Sequence, residues 1–414
     1  MTTMAIDNKD KKVLKSSIER EQNEVACSAE CEKIKGSKNL NVPPLRFPEF
    51  TEEWKAEQLD NIATLSKGIG ISKEQLSEDG EPCILYGELY TKYKSEIIKQ
   101  VESKTDINGS KLKRSKANDV IIPCSGETAV DIATARCVPF DNILFGGDLN
   151  VISLHQYDGA FMSYQLNGKR KYDIARVAQG VSIVHLYGEH LKAIKTYNPT
   201  LPEQQKIAKL LSLLDDRIDT QNKIIEDLKK LKSAISERLF KGIEGSFVLL
   251  SDICDIVKGK QINGENLSES GNYYVMNGGT EPSGYYGDYN VDANAISISE
   301  GGNSCGYVQF NTSPFWSGGH CYSIQNIADN VNNLYLYHYL KSNEDVIMKL
   351  RIGSGLPNIQ KKDLAMFKIK VPAIEQQITI STFLSSLERK AEIEERIQNA
   401  MLKEKQYLLH QMFI

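Results

Sequence analysis

The histidines and cysteines of this chain, the residues that most often do chemistry, are not spaced as a reactive site requires. The histidines form no pair with the spacing of metal ligands. They are His155, His185, His190, His320, His338 and His410. We interpret His320 and Cys321 as a packed or hydrogen-bonded pair rather than as metal ligands. Ser182 lies near His185 in sequence, but no nucleophile-elbow motif surrounds it.

Nucleotide chemistry is not indicated either. The sequence has no GxxxxGK[ST] phosphate loop, and no GxGxxG follows a strand pattern. Gly68 and Gly70 are only two glycines in a turn, and the glycines between 301 and 306 lack the required spacing. The Asn-Pro-Pro-aromatic motif of amino-methyltransferases is missing as well. These observations predict a chain that binds rather than catalyses, with no cofactor or metal of its own.

The eight cysteines are scattered, and only Cys27 and Cys31 are close together. Their spacing fits one helix face better than a zinc site, so we expect reduced, structural thiols. No apolar run approaches the length of a membrane span, and residues 1–10 lack the apolar core of a signal peptide. We therefore expect a cytoplasmic protein.

The net charge of −4 does not by itself suggest a nucleic-acid ligand, but the basic residues are clustered. One cluster spans residues 92–116. It contains Lys92, Lys94, Lys99, Lys104, Lys111, Lys113, Arg114 and Lys116. Lys169, Arg170 and Lys171 form a second cluster. Two basic clusters on an acidic chain favour a polyanionic partner.

The elements that must position these residues occur twice. Residues 59–76 recur as residues 250–267 at a constant offset of 191, and residues 191–199 recur as residues 364–372. Each of the latter segments is followed by Glu-Gln-Gln. A repeat of this length indicates a duplicated domain rather than a solenoid unit. Short β-like runs with glycine turns predict that both copies are compact α/β domains.

A long helical pattern follows each copy. Apolar residues recur at steps of three, four or seven from Ile207 to Leu239 and from Ile380 to Met412. Each pattern runs about 37 residues, or ~55 Å, and Pro202 precedes the first. Because the two apolar seams are equally long, we expect the helices to pack against each other, antiparallel, with one domain at each end. The alternative is that each helix packs only on its own domain.

The predicted fold class is α+β, with two similar domains and two long helices in a pseudo-twofold repeat. We expect a mobile tail over residues 1–42, a first domain over 43–200 and a central helix over 201–243. A second domain over 244–373 and a C-terminal helix over 374–414 complete the chain. The tail has no aromatic residue before residue 43 and cannot bury much apolar surface.

The lead-in of residues 43–54, the Leu-Pro-Glu-Gln-Gln-Lys-Ile of residues 201–207 and the order of the repeats carry a family likeness. Over about residues 41–414 the chain resembles the specificity subunits of type I restriction–modification systems. The resemblance implies two target recognition domains, each recognising one half of a split DNA sequence, and helices that fix the separation. It also implies docking of a pair of methyltransferase subunits, and then of restriction subunits. S-adenosylmethionine, ATP and Mg²⁺ would belong to those partners.

Candidate DNA contacts in the first domain lie in loops and basic clusters. Base edges are recognised by donors and acceptors, and phosphates by positive charge. For bases or grooves we predict Tyr86, Tyr90, Ser125, Glu127 and Thr128. For phosphates we predict Lys67, Lys111, Lys113, Arg114, Lys169, Arg170 and Lys171. The alternatives are a solvated face for the lysines and half-buried sheet positions for the tyrosines.

In the second domain, Lys258 and Lys260 flank a glycine turn that matches Lys67-Gly68, and residues 277–286 form a Gly-Asn-Tyr loop suited to close backbone approach. We predict contacts from Lys258, Lys260, Asn277, Gly278, Gly279, Ser283, Tyr285, Tyr286 and Asn303. Asn358 and Lys361 join them because they recur where residues 180–190 lie in the first copy. His320 and Trp316 lie nearby in the predicted fold, and Trp316 has core packing as its alternative.

A second class of function remains open at this level. The chain could be a non-catalytic scaffold or adaptor whose helical rod carries two domains that bind protein or sugar. The basic clusters distinguish the two hypotheses, because a scaffold has no need of them. A single-chain nuclease or methyltransferase lacks its motifs.

Overall fold

The computed structural model describes residues 41–108, 111–180, 183–353, 355 and 357–414. The predicted N-terminal tail therefore lies outside the described residues, except for its last two. The chain divides into two compact units. Unit 1 contains the chain up to Ala208 together with Leu408–Ile414, and unit 2 contains Lys209–Tyr407. In the described part of the chain, helices long and apolar enough to cross a membrane are not found.

The first domain contains twelve strands and six short helices among its described residues. Its strands are β1 (Lys55–Gln58), β2 (Ala63–Lys67), β3 (Glu81–Ile84), β4 (Lys104–Thr105), β5 (Lys113–Arg114), β6 (Asp119–Pro123), β7 (Ser125–Gly126), β8 (Arg136–Val138), β9 (Leu144–Phe145), β10 (Leu149–Leu154), β11 (Val184–His185) and β12 (Lys195–Asn198). Its helices are α1 (Leu59–Ile62), α2 (Glu88–Thr91), α3 (Ala129–Ile132), α4 (Gly159–Asn167), α5 (Lys171–Val177) and α6 (Gly188–Lys192).

The long helix α7 (Leu201–Gly242) follows, and the second domain begins after it. The strands of this domain are β13 (Ser246–Leu249), β14 (Asp255–Lys258), β15 (Tyr273–Met276), β16 (Tyr285–Tyr286), β17 (Ala295–Ser299), β18 (Val308–Asn311), β19 (Trp316–Ser317), β20 (Cys321–Gln325) and β21 (Lys368–Val371). Its helices are α8 (Leu250–Ile253), α9 (Asn333–Ser342), α10 (Glu344–Met348) and α11 (Lys361–Ala365), and the long helix α12 (Ile374–Gln411) ends the chain. Short 3₁₀ turns cover Lys73–Gln75 and Gly264–Asn266.

The two domains share one sheet topology. The central sheet has the antiparallel order β2-β10-β6-β8 in the first domain and β14-β20-β17-β18 in the second. In each domain, the strand that follows the 3₁₀ turn pairs in parallel with a later short strand: β3 pairs with β9, and β15 pairs with β19. Each domain is closed by a pair of its first and last strands, β1 with β12 and β13 with β21. The duplication predicted from the sequence is confirmed at the level of strand order.

Both faces of the first domain's central sheet are buried. Along β6, Val120 and Ile122 pack in a cluster with Met162 and Leu166 of α4, whereas Ile121 packs in a second cluster on the other side. Alternating side chains of a strand point to opposite faces, so a strand with apolar residues at every position is covered twice. In the second domain, Ile296 and Ile298 belong to one large cluster.

The repeated glutamine after each domain ties the long helix to the domain before it. Gln204 accepts a hydrogen bond from the Asp158 backbone N–H (2.9 Å) and donates to the Pro199 carbonyl (2.8 Å). Gln377 repeats this, accepting from the Asn332 N–H (2.8 Å) and donating to the Pro372 carbonyl (2.8 Å). Asp158 and Asn332 are the N-caps of α4 and α9. One structural junction is thus used twice, although Gln204 is the first glutamine of its Glu-Gln-Gln triplet and Gln377 is the second of its own.

The long helices lie within the segments that the sequence predicted for them, residues 201–243 and 374–414. Helix α7 has 42 residues and α12 has 38. Helix α7 begins at Leu201, where the central helix was predicted to begin, so Pro202 lies in its first turn and not before it. Proline is tolerated in a first turn because its missing N–H would have no helical partner there.

Within unit 2 the two long helices pair antiparallel, as predicted. Gln221 donates to the Glu394 carboxylate (2.6 Å), and Lys232 pairs with Glu388 (2.5 Å). A buried ion pair joins Asp215 to Lys405 (2.6 Å). Residue numbers rise along α7 as they fall along α12, which is the signature of an antiparallel pair.

Acid is expected to weaken unit 2 through His338. This side chain is 2% exposed and contacts Ser385 Oγ through Nε2 (2.9 Å). Burial lowers the pKa of His338 to about 4, with Glu388 opposing that shift and Lys232 adding to it. Because the unfolded chain titrates near 6.5, it binds more protons than the fold between pH 6.5 and 4, so stability falls as the pH falls through that window.

The loss should total about 3 kcal/mol at pH 4. Replacing His338 by glutamine should remove this part of the acid sensitivity while keeping a partner for Ser385. Urea unfolding of both proteins at pH 7 and pH 4, followed by hydrogen exchange in α9, measures the difference. Equal acid sensitivity of the two proteins would contradict the assignment to His338.

Candidate nucleic-acid interface

A lysine and a glycine end the first strand of each central sheet. Gly68 and Gly259 donate their N–H groups to the carbonyls of Leu149 and Cys321, both at 2.9 Å. A Cβ atom on Gly68 would lie 1.9 Å from the Gly146 carbonyl oxygen, and one on Gly259 would lie 2.2 Å from that of Gly318. Only glycine fits such an approach of two backbones. The turn holds Lys67 and Lys258 at equivalent, exposed places.

In the first domain a loop cluster forms where β7 pairs with β11. Ser125 lies opposite His185, and its Oγ is 3.3 Å from His185 Nδ1. Tyr90 donates its hydroxyl hydrogen to the Ser125 carbonyl (3.1 Å), and Gly126 leaves room for the tyrosine hydroxyl. Thr128 caps α3 by accepting from the Asp131 N–H (3.1 Å). Three of the predicted residues are therefore brought together here.

A cleft of about 710 Å³ opens beside this cluster. Its lining is Tyr86, Gly87, Leu89, Tyr90, Thr91, Ser125, Gly126, Glu127, Asp131, Thr134, Arg136 and Ile183. Tyr86 and Tyr90 are 39% and 38% exposed, and they lie in a turn and in α2. The alternative of half-buried sheet positions is therefore wrong for both tyrosines.

An aromatic strip continues from the cluster to the lysine turn. Lys67 Nζ lies 5.7 Å from the centre of the Tyr187 ring, and the rings of Tyr187 and His190 are 5.6 Å apart. Burial raises the pKa of Cys124 to about 11, an effect that the nearby charge of Lys67 opposes. A thiol with this pKa is protonated at neutral pH and is a poor nucleophile. The surface offers a cation, aromatic faces and hydrogen-bonding groups.

The second domain builds its loop cluster around a buried carboxylate. Glu300 accepts from Lys258 Nζ (2.6 Å) and from the Tyr322 hydroxyl (3.3 Å). Its other oxygen lies 3.7 Å from His320 Nδ1. Burial and then the charge of Glu300 raise the pKa of Tyr322 to about 12. The cluster thus joins Lys258, predicted from the sequence, to Glu300, which was not.

The two clusters occupy equivalent places in the duplicated fold. Ser125 pairs with His185, which in turn pairs with Gln179. In the second domain the same bridges join Gly301 to Asn358 and Asn358 to Ile352. The expectation that Asn358 recurs within residues 180–190 is confirmed, and the equivalent residue is His185.

The Gly-Asn-Tyr loop adjoins the second cluster. Asn277 Oδ1 accepts from the His320 N–H (3.1 Å). Gly278 adopts a φ of 85°, with its Cα facing His320. Trp316 is half-buried, and its indole N–H donates to the Lys260 carbonyl (2.8 Å). Trp316 therefore lies in this loop cluster and not in the core.

The remaining predicted residues of the second domain surround these contacts. Tyr285 and Tyr286 form β16, and the Tyr286 ring packs edge to face on Trp316 with centroids 5.1 Å apart. Ser283, Asn303 and Lys361 are exposed, and Gly279 is half-buried. Their contribution to binding stays a prediction.

The basic cluster of residues 92–116 is partly neutralised within the first domain. Arg114 forms two hydrogen bonds with the Glu81 carboxylate, at 2.6 and 3.0 Å, and Lys92 pairs with Glu88 at 2.8 Å. Lys113 lies beside Arg114 in β5, and Lys111 is exposed. Among the described residues, no hydrogen bond or ion pair joins these side chains to the Ser125 cluster, so their DNA contact stays a prediction.

The second basic cluster contacts the C-terminal end of the chain. Arg170 donates to the Ile414 carbonyl (2.9 Å) and pairs with Asp173 (3.0 Å). Burial and then the charge of Arg170 lower the pKa of Lys169. Lys171 begins α5 and is half-buried. The structure thus assigns Arg170 a packing role that the sequence did not indicate.

Sequence reasoning missed three residues of the clusters: His185, Tyr187 and Glu300. His185 was considered only as a base for a serine nucleophile. The internal repeat could have identified His185, because its equivalent in the second copy, Asn358, was already a predicted DNA contact. No local sequence pattern indicated Glu300, because its partners Lys258 and Tyr322 lie 42 and 22 residues away in sequence.

The family model of the type I restriction modification DNA specificity domain matches residues 51–230 and 244–403. A protein named as a type I specificity subunit from Mycoplasma pneumoniae is 32% identical over 145 residues, which cover 34% of this chain and 38% of that protein. A protein named as a type I restriction enzyme specificity subunit from Methanocaldococcus jannaschii is 26% identical over 253 residues, covering 53% and 58%. The chain thus spans less than two thirds of the length of these relatives.

Two solved structures have a similar fold. The crystal structure of a type I restriction–modification S subunit from M. genitalium aligns with a TM-score of 0.65 at 20% identity. The alignment covers 90% of this chain and 99% of that one. A chain from a study of complex assembly and conformational transition of the type I system aligns with a TM-score of 0.55 at 16% identity, covering 89% and 99%. At these identities the comparison establishes the fold alone.

Proposed function

We propose, because this chain belongs to the family of type I restriction–modification DNA specificity proteins, that it recognises a split DNA target. Each α+β domain recognises one half-site through its loop cluster. The chain contributes sequence recognition and carries out no bond chemistry of its own. It is required for methylation and cleavage by the assembled complex, and S-adenosylmethionine, ATP and Mg²⁺ are used by the partner subunits.

One observation carries this proposal: the same backbone frame presents different side chains in the two domains. Lys67-Gly68 and Lys258-Gly259 form the shared frame. Ser125 and His185 of the first cluster are replaced by Gly301 and Asn358 in the second. Sequence is recognised by side chains at base edges, whereas the backbone frame only places them. Two half-sites of different sequence require this combination.

The long helices supply a surface for protein partners. Large apolar side chains of α7 and α12 are about half exposed. They include Leu213 (51%), Leu231 (50%), Ile378 (48%), Phe383 (46%) and Ile393 (47%). Exposed apolar patches of this kind mark interaction sites. We assign this surface to methyltransferase subunits, two of which fit the repeat, and restriction subunits join that assembly.

Co-expression with a methyltransferase subunit of the same system, followed by single-molecule sequencing of the methylated DNA, tests the proposal. The expected result is methylation at one split motif. Co-purification of the partner without any motif would leave docking intact and refute DNA recognition. A chain that neither binds the partner nor directs methylation would instead support the adaptor hypothesis.

The helix pair is expected to set the gap between the half-sites. Inserting one helical turn in α7 at Gln221, and a matching turn in α12 at Glu394, lengthens both helices by ~5.4 Å. This corresponds to roughly one to two base pairs of duplex DNA. The methylated motif should keep both half-sites and gain one or two base pairs between them. A variant with the same helix positions substituted at constant length is the control, and an unaltered gap would refute the idea.

A further inference from the structure

The two equivalent lysines of the duplicated turn lie in different electrostatic environments. Lys258 Nζ is 2.6 Å from Glu300 Oε1, and the Glu300 side chain is 10% exposed whereas that of Lys258 is 52% exposed. Tyr322, which lies opposite both Lys258 and Ile298 in the sheet, also donates to Glu300. The ammonium group is therefore held at a fixed place at the edge of the cluster.

Among the residues that the structure describes, Lys67 has no carboxylate partner comparable to Glu300. Pro123 pairs with Leu149 and Ser299 pairs with Cys321, so Cys124 is the equivalent of Glu300. The backbone contacts agree, since the N–H of Cys124 donates to the Asp148 carbonyl and that of Glu300 donates to the His320 carbonyl. The Lys67 ammonium lies instead over the Tyr187 ring, 5.7 Å from its centre.

We infer that these lysines make different contacts with DNA: Lys67 binds a phosphate, and Lys258, held by Glu300, donates to a guanine in the second half-site. The inference rests on the proposed function. Glu300 is then a positioning residue, and Lys258 is a specificity-determining residue.

The chemistry follows from the difference in restraint. Guanine presents two acceptors, N7 and O6, in the major groove, and a lysine ammonium is a suitable donor to both. Distinguishing this base edge from others requires a donor at a defined place, which a buried carboxylate provides. A phosphate contact needs charge but little directionality, so an unrestrained lysine is adequate. The pairing with Glu300 also lowers the net charge that Lys258 offers to a phosphate.

Three lysine-to-methionine variants, each in complex with the methyltransferase subunit, separate these roles. Lys67→Met should weaken binding to all sequences alike and lower the slope of log affinity against log salt by about 1. Lys258→Met should leave the slope nearly unchanged and relax one position of the second half-site. Affinity for the cognate guanine at that position should fall roughly 5- to 150-fold. Lys368→Met removes the same charge from β21, outside the loop cluster, and is the control.

Glu300→Gln tests the positioning role, because glutamine keeps the size of the side chain and removes its charge. We expect the same single position to relax, with the first half-site intact and the melting temperature of the complex within a few degrees of the wild type. Sequencing of methylated sites gives the motif, and fluorescence anisotropy across a salt series gives the slope.

Two results would overturn the inference. One is that Lys67→Met and Lys258→Met lower the slope of log affinity against log salt equally. The other is that neither Lys258→Met nor Glu300→Gln changes the recognised sequence of the second half-site. Failure of this inference can be told apart from failure of the proposed function, because the proposed function is tested by the methylation pattern of the wild-type complex alone. A wild-type split motif together with either overturning result leaves DNA recognition standing and removes only the division of roles.

Discussion

Replacing Glu203 by alanine is expected to lower the free energy of unfolding of unit 1 by about 2–4 kcal/mol, because it leaves the half-buried Arg46 guanidinium without its carboxylate partner. The Glu203 side chain is fully buried and accepts two hydrogen bonds from Arg46, both at 2.7 Å. The indole N–H of Trp54 donates to the same carboxylate (3.3 Å). The hydrogen bond to Glu203 is the largest cause of the raised pKa of Arg46.

Urea unfolding followed by Trp54 fluorescence measures this effect. Glu53→Ala is the matched control, since it removes an exposed carboxylate beside Trp54. Replacing both Arg46 and Glu203 by leucine should cost less than Glu203→Ala alone, because neither charge is then left unpaired. A single variant no less stable than the control would show that the pair does not hold the lead-in segment to α7.

The second large effect is expected from Gly68→Ala, which should remove recognition of the first half-site. The added Cβ would lie 1.9 Å from the Gly146 carbonyl oxygen, so the turn that carries Lys67 must shift. Such overpacking costs about 1–3 kcal/mol. If that cost is realised as displacement of the loop, specific DNA affinity falls by about 5- to 150-fold.

Gly70→Ala is the matched control, because a Cβ at Gly70 would meet no atom within 4 Å. Gly259→Ala should have the same effect on the second half-site alone, with Gly264→Ala as its control. Sequencing of methylated DNA for the four variants tests all of these expectations. Normal recognition of the first half-site by Gly68→Ala would mean that the turn does not place the loop cluster.

Much of the fold could be predicted because it depends on local spacing. The offset of 191 residues places α1, β2 and the 3₁₀ turn of the first domain on α8, β14 and the 3₁₀ turn of the second. The apolar steps of α7 and α12 predicted their pairing, because helical periodicity needs only the nearest few residues. Gly68 was assigned to a turn because glycine is itself a local turn signal.

The surroundings of the candidate binding residues were predicted less well, because their contacts join residues far apart in sequence. Arg170 was predicted to bind a phosphate because it lies in a basic cluster. In the structure it donates a hydrogen bond to the carbonyl of Ile414, which is 244 residues away in sequence. Glu300 has no local motif, and only the sheet register brings it to Lys258. The sequence shows which charged side chains are present. Only the folded structure shows which of them are already neutralised by an ion pair.

By itself the sequence determined the duplication, the fold class, the two long helices and the family, since all four depend on periodicity and order along the chain. Only the tertiary structure decided that Ser125 meets His185, that Gly301 meets Asn358 and that Glu300 holds Lys258. These contacts depend on how strands 40 to 60 residues apart align by backbone hydrogen bonding, which local propensity does not encode.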